Sequence, residues 1–336
     1  MSGFGSMLKD YLEYNKISQG DFADRLGISI KHLNEIINGK TSLSIELILL
    51  ISLLTDIDAN LIYYVETKKR IYDELMKKYE NEKQINKMIN SFSIKEMVER
   101  KWIKLKDSSS FVQNYMDLLE YLNIDNIENL DSYLEKRYAF KKKDEANNKK
   151  IFLWIKHCDQ MIKNIDICKY DSSKFNDLLR ELKLESNKQF NKDNIINILK
   201  KYGIILYIED ALKGTKIRGC SKVMIDIPVI YMTLYYKEKS SFYFTLYHEL
   251  MHIKKDFNSL KKKIIIDNDE DEMDNLALNE MIPNNIYKEI LKEYDKKDEI
   301  AKNNNIPLCF LYSRLAKDGY IKYNSKEYLD NIERIN

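Results

Sequence analysis

Only three prolines and nine glycines punctuate the 336 residues, and no other property of the sequence limits the fold as much. With so few breakers, and with Leu, Ile, Lys and Glu filling the text between them, the chain reads as mostly helical. Its length allows two or three domains, each with its own core. A hydrophobic share of 44% and an aromatic share of 11% argue against global disorder.

Charge is balanced at +2, which neither demands nor excludes a nucleic-acid partner. Cys158, Cys168, Cys220 and Cys309 lie far apart with no C-x-x-C pair, so all four read as reduced core thiols. The N-terminus has no basic-then-apolar signal region. The strongest apolar run, "IELILLISLL", is too short to span a bilayer and keeps helical spacing. A soluble, cytoplasmic protein with no membrane contact is expected.

The stretch "ISQGDFADRLGISIKHLNEIINGK" has the requirements of two crossing helices. Ser18 caps a short helix in which Phe22, Ala23 and Leu26 share a face, and Gly27 permits the left-handed turn that ends it. Ile28 plugs the core and Ser29 caps the next helix. On that helix Leu33, Ile36 and Ile37 point inward, leaving Lys31, His32, Asn34 and Glu35 outside. Through its Ser-Gln, Ala, Gly-Ile-Ser and Asn-Gly-Lys positions the stretch resembles the XRE/Cro-type helix-turn-helix family. The resemblance implies operator binding to double-stranded DNA by a homodimer. Gln19 and Lys40 would hold phosphates, and Lys31, His32, Asn34 and Glu35 would face base edges. Residues 1–66 carry five Lys/Arg against nine Asp/Glu, so the field attracts a polyanion only weakly. A helix-turn-helix used only for protein contacts is the alternative.

Residues 67–143 read as a helical connector with charged outer faces. "KRYAFKKKDEANNKK" (136–150) is the expected linker. In the helix after it, Trp154 and Ile155 take the inner side with His157 and Cys158, which read as core filling rather than a ligand pair. "GIILYIED" then reads as a strand and "KVMIDIPVIYMTL" as another, with Pro228 at its start or on an edge.

Next comes "FYFTLYHELMHIKKD", residues 242–256. Histidines four apart on a helix sit one above the other, so His248 and His252 can reach one zinc ion at about 2.0–2.1 Å. Glu249 is rotated toward the remaining coordination position, where it can take a proton from the activated water and pass it to a leaving amine. A third ligand is needed. In "DEDEMDNLALNEMIP", Glu270 shares a helical stripe with Met273, Ala277 and Met281, and an inward carboxylate there needs a cation. Glu272, on a neighbouring stripe, is the reserve candidate. Asp267, Asn268, Asp269 and Asp271 read as helix cap and solvated first turn.

Residues 203–283 resemble the ImmA/IrrE family of metallopeptidases. The likeness runs through Gly203-Ile204, Pro228–Met232, Phe244-Thr245-Leu246, His248 to His252, Glu270, Ala277 and Pro283. It implies zinc held by His248, His252 and Glu270, with Glu249 as the catalytic base. Met251 stands where the family has a small residue and Met273 where it has alanine, so packing behind the site must differ. The whole chain is also similar to proteins that fuse a HigA-like helix-turn-helix to this peptidase domain.

The expected fold is mostly α with a small β-sheet (α+β). Residues 1–66 form a helix-turn-helix bundle and 67–143 a helical connector; 144–336 form a zincin-like metallopeptidase domain with C-terminal helices. The expected function is a DNA-binding transcriptional regulator with a zinc endopeptidase site that cleaves a repressor-like protein or itself. An edge strand near Val229–Met232 would align the extended substrate. The alternative is an antitoxin-like or phage-type regulator whose metal domain is a non-catalytic sensor or partner-binding module.

Overall fold

The computed structural model describes residues 3–140, 145–266 and 271–335. It is mostly helical with one small sheet, and it divides into two compact units, Met1–Asn123 and Ile124–Asn336.

Among the described residues the first unit holds α1 (Phe4–Tyr14), α2 (Gln19–Leu26), α3 (Ile30–Ile37), α4 (Ile45–Thr55) and α5 (Ala59–Lys78). These are followed by α6 (Glu82–Asn90), α7 (Ile94–Glu99) and α8 (Phe111–Leu122). The α2–α3 boundary is built as its residues require. Ser18 Oγ accepts the Asp21 N–H and Ser29 Oγ the His32 N–H, each at 3.1 Å. Such caps contribute about 1 kcal/mol apiece. Gly27 takes φ 69°, and the Ile28 N–H returns to the Ala23 carbonyl at 3.0 Å. Phe22, Ala23 and Leu33 are wholly buried against Phe4, Leu8 and Ile51. The α1 and α3 backbones come so close that a Cβ on Gly5 would lie 2.3 Å from the Ile36 carbonyl oxygen.

Toward the end of this unit a buried carboxylate, Asp117, accepts the Lys106 N–H and the Gln113 side-chain amide, both at 2.8 Å. The Tyr64 hydroxyl donates to Gln113 and ties α5 to α8. These partners satisfy a charge that would otherwise be costly to bury.

The second unit contains β1 (Tyr138–Phe140), β2 (Ile205–Ile208), β3 (Gly219–Met224), β4 (Ile227–Met232) and β5 (Ile264–Ile266). Its helices begin with α9 (Asn129–Arg137), α10 (Glu145–Met161), α11 (Phe175–Ser186), α12 (Lys192–Lys201) and α13 (Lys239–Leu260). They continue with α14 (Asp271–Met281), α15 (Asn284–Lys292), α16 (Lys297–Asn303), α17 (Leu308–Lys317) and α18 (Lys326–Leu329). Strand order is β1-β5-β3-β4-β2. β3 pairs antiparallel with β4 and β5, while β2–β4 and β1–β5 are parallel.

The structure differs from three sequence expectations. The stretch 136–150 is not only a linker, because Tyr138–Phe140 form β1 beside β5. "KVMIDIPVIYMTL" spans two strands rather than one, since Ile225 and Asp226 both take positive φ (47° and 66°) and close a hairpin. Val229–Met232 is not at an edge, because β4 is paired on both sides. Pro228 lies one residue ahead of the β2 ladder, which begins at Val229.

Helices cover both faces of the sheet. On one face the Trp154 indole meets the Tyr231 ring edge-on and donates to the Glu209 carbonyl at 2.9 Å. Asp159 there accepts the Tyr231 hydroxyl at 2.5 Å and pairs with the Lys222 ammonium. On the other face Val223, Ile230 and Met232 pack with Phe242, Leu246 and Leu250 of α13. With both faces covered, β4 is buried almost throughout, as a central strand must be. Trp154, Ile155, His157 and Cys158 are all buried, as core filling. Cys220 and Cys309 are buried too, and burial raises both thiols, Cys309 to about 12. Cys168 departs from expectation: it is exposed.

Candidate functional site

In the first unit, α3 turns Leu33, Ile36 and Ile37 into the core and leaves Lys31 exposed, with His32, Asn34 and Glu35 half-buried beside it. Lys40 is exposed, and Gln19 is half-buried at the first position of α2. The six residues expected at a DNA interface therefore all lie outside the core. The Lys40 N–H bonds the Glu35 carbonyl at 2.8 Å, so the turn that presents Lys40 is fixed to the end of α3.

In the second unit, α13 has no glycine or proline and is buried on nearly every side. Its half-buried exceptions through the middle are Ser241, Phe244 and His248, spaced three and four apart on one stripe. The His248 and His252 rings meet edge-on one turn apart, with centroids separated by 5.0 Å and planes inclined at 69°. Each ring is held by a carboxylate. His248 Nδ1 lies 2.9 Å from Asp274 Oδ1 on α14, and His252 Nδ1 lies 3.0 Å from Asp256 Oδ2 one turn along α13. Asp256 is also where α13 kinks, with φ −111° and ψ 16°.

The tautomers follow from these partners. Burial pushes the Asp274 carboxyl up, but the His248 hydrogen bond and the charges of Lys317, His248 and Arg218 outweigh it and hold it below the usual range. An ionised carboxylate only accepts, so His248 donates from Nδ1 and turns Nε2 away from Asp274. The like pairing gives His252 the same orientation. Imidazoles that ligate metals are oriented in this way, with the second ring nitrogen secured by a carboxylate. The donor chemistry of the pair thus fits two nitrogen ligands of a zinc-type ion.

Glu249 lies between the histidines in sequence and is only 6% exposed. A Cβ on Gly219 of β3 would stand 3.1 Å from Glu249 Oε1, 3.0 Å from Thr245 Cγ2 and 3.1 Å from the Tyr231 carbonyl oxygen. The missing side chain at Gly219 makes room for the carboxylate against the sheet.

Glu270, the expected third ligand, lies outside the described residues, as do Asp267, Asn268 and Asp269. Its stripe partners Met273, Ala277 and Met281 are buried as expected. The reserve candidate Glu272 is turned to solvent, where it pairs with Lys255, so it does not face the histidines. Among the described residues no group of three or more His, Cys, Asp or Glu side chains is placed to hold a metal. Sequence reasoning missed Asp256, Asp274 and Gly219. The first had a signal, standing four residues beyond His252 on the same helix face. Asp274 had another, standing four residues beyond Glu270.

A cleft of about 710 Å³ opens along the Ser241–Phe244 side of α13. Asp274 forms part of its wall, so the cleft reaches the carboxylate that holds His248.

A helix-turn-helix family model matches residues 8–62, which supports a DNA-binding transcriptional regulator. No curated protein and no solved structure matches the chain. Among the described residues no helix is long and apolar enough to cross a membrane.

Proposed function

We propose that this DNA-binding regulator carries a zinc-dependent endopeptidase site that cuts a repressor-like protein partner or the chain itself. One observation carries the reading: both histidines of His248-Glu249-x-x-His252 are secured through Nδ1 by carboxylates, the way metal-ligating imidazoles are oriented. Glu270 is proposed as the third ligand, in line with the resemblance to the ImmA/IrrE peptidases. Zinc in such a site supplies Lewis acidity and makes water acidic enough to act near pH 7.

The chain's own part is positional and acid–base. Asp274 and Asp256 fix the two rings. Glu249, enclosed between α13 and β3, accepts the proton of the attacking water on its carboxylate and returns it to the leaving amine nitrogen. Because β4 is interior, a substrate strand cannot pair with Val229–Met232, so the cleft beside α13 is the proposed route for the polypeptide.

A homodimer belongs to the same reading. Ile45, Leu49 and Leu53 form one stripe on the outer face of α4 and are 67%, 54% and 79% exposed. A helix apolar on both faces calls for a second partner. Two-fold pairing would also strengthen operator binding for a domain whose own charge attracts DNA weakly.

The test is Glu249→Gln in the full chain. Cleavage of candidate repressors should be abolished while operator binding, measured by fluorescence anisotropy, stays intact. If the substitution changes no biological output, the metal domain is a non-catalytic sensor or partner-binding module.

A further inference from the structure

We propose that the cleft beside His248 binds an acidic segment of the polypeptide substrate, with Arg218 and Arg334 receiving its carboxylates. This rests on the peptidase reading for the kind of occupant, but the charge and shape of the cleft stand on their own.

The cleft is walled by the start of α13, by α14 and α17, and by the C-terminal segment. The Tyr328 hydroxyl donates to Glu238 at 2.9 Å, and the Ile335 N–H bonds the Lys237 carbonyl at 3.0 Å, so the C-terminal segment forms a fixed wall. Four cations line the cleft (Arg218, Arg314, Lys317 and Arg334) against two carboxylates, Glu238 and Asp274. Two of those cations are already engaged. Arg314 Nε bonds Asp318 at 2.8 Å, and Lys317 lies 3.6 Å from Asp274 while covering the Phe244 ring. Arg218 and Arg334 are exposed, and among the described residues neither has an ion-pair partner. The Arg218 guanidinium rests over the Tyr236 ring, which holds its plane without neutralising it.

Position ties this surplus charge to the chemistry. Arg218 and Lys317 line the same cleft as the Asp274 carboxylate, which holds His248. A carboxylate bound at Arg218 would therefore share its cleft with the carboxylate that holds His248. Between the cations, Leu278, Phe310 and Ile332 make the wall apolar. A volume of about 710 Å³ suits several residues of a chain that alternates acidic and apolar side chains. A lone phosphate or sulfate would occupy one corner and leave the apolar wall uncovered.

The experiment uses the full chain carrying Glu249→Gln, so that a bound peptide is not cut. A fluorescein-labelled Glu/Leu peptide and its Gln/Leu counterpart are titrated by anisotropy. The acidic peptide should bind about tenfold or more tightly, and the gap should close when Arg218→Gln and Arg334→Gln are added. Both arginines are exposed, and an unchanged melting temperature checks that the variants fold. Equal binding of the two peptides, binding of neither, or full displacement by millimolar inorganic phosphate would overturn the proposal. Zinc-loaded wild type separates the two readings. Cleavage with no acidic preference sinks the cleft proposal alone, whereas acidic preference without cleavage sinks the peptidase reading and leaves the cleft its ligand.

Discussion

Replacing Asp274 by alanine removes the acceptor that holds His248 Nδ1 at 2.9 Å and takes from Lys317 its neighbour at 3.6 Å. Loss of such an orienting partner costs metal affinity by about 10- to 100-fold, or roughly 1.4–2.7 kcal/mol. The Asp274 side chain is 39% exposed, so water can replace part of the bond. That places the expected loss in the lower half of the range, about 10- to 30-fold. Asp274→Asn should lose less, about three- to fivefold, because an amide oxygen still accepts the Nδ1 proton but brings no charge. The assay is zinc competition against a chromophoric chelator at about pH 7.5, with the melting temperature of each apo variant as a folding control. Wild-type zinc affinity in Asp274→Ala would refute the reasoning. So would a larger loss in the asparagine variant than in alanine.

Further expectations test other parts of the structure. Gly5→Ala forces a Cβ to 2.3 Å from a backbone carbonyl, so it should destabilise the first unit by about 3 kcal/mol in urea unfolding and weaken operator binding. Gly219→Ala should slow proteolysis while leaving the operator affinity unchanged, because the new methyl would meet Glu249 Oε1 at 3.1 Å and displace it by a few tenths of an ångström. Lys40→Ala should weaken DNA binding evenly across sequences and lower the slope of log K against log salt by about 1. Burial pushes the Glu280 carboxyl up against the pull of Lys254 and Lys183. A carboxyl raised on folding costs stability as pH climbs from its unfolded to its folded value, so Glu280→Gln should stabilise at about pH 8 and not at about pH 4.

Where local chemistry decides the structure, the sequence was readable. Ser18, Ser29 and Gly27 act within one helical turn of themselves, and each performs its expected task. The two histidines and Glu249 were equally plain, because a four-residue spacing on a helix fixes their relation without any tertiary knowledge. What stayed hidden depends on distant segments. Ile225 is a β-branched residue at φ 47°, and neither it nor Asp226 gives the Asn-Gly signal that marks a two-residue hairpin, so β3 and β4 merged into one strand. β1 lay unseen in a basic stretch because three residues gain strand pairing only from β5, more than a hundred positions later. The interior place of β4 depends on both neighbours pairing with it, which its own residues do not reveal. Gly219 reads as an ordinary glycine until Thr245 and Glu249 are packed over it.

The most direct test of the central claim is the zinc content of the purified full chain, measured by elemental mass spectrometry alongside His252→Ala and Glu270→Gln. The expected result is about one zinc per chain, lost in the first variant and weakened in the second. A chain that holds no metal even after zinc is supplied would contradict it, leaving a helix-turn-helix regulator whose paired histidines serve only the packing of α13.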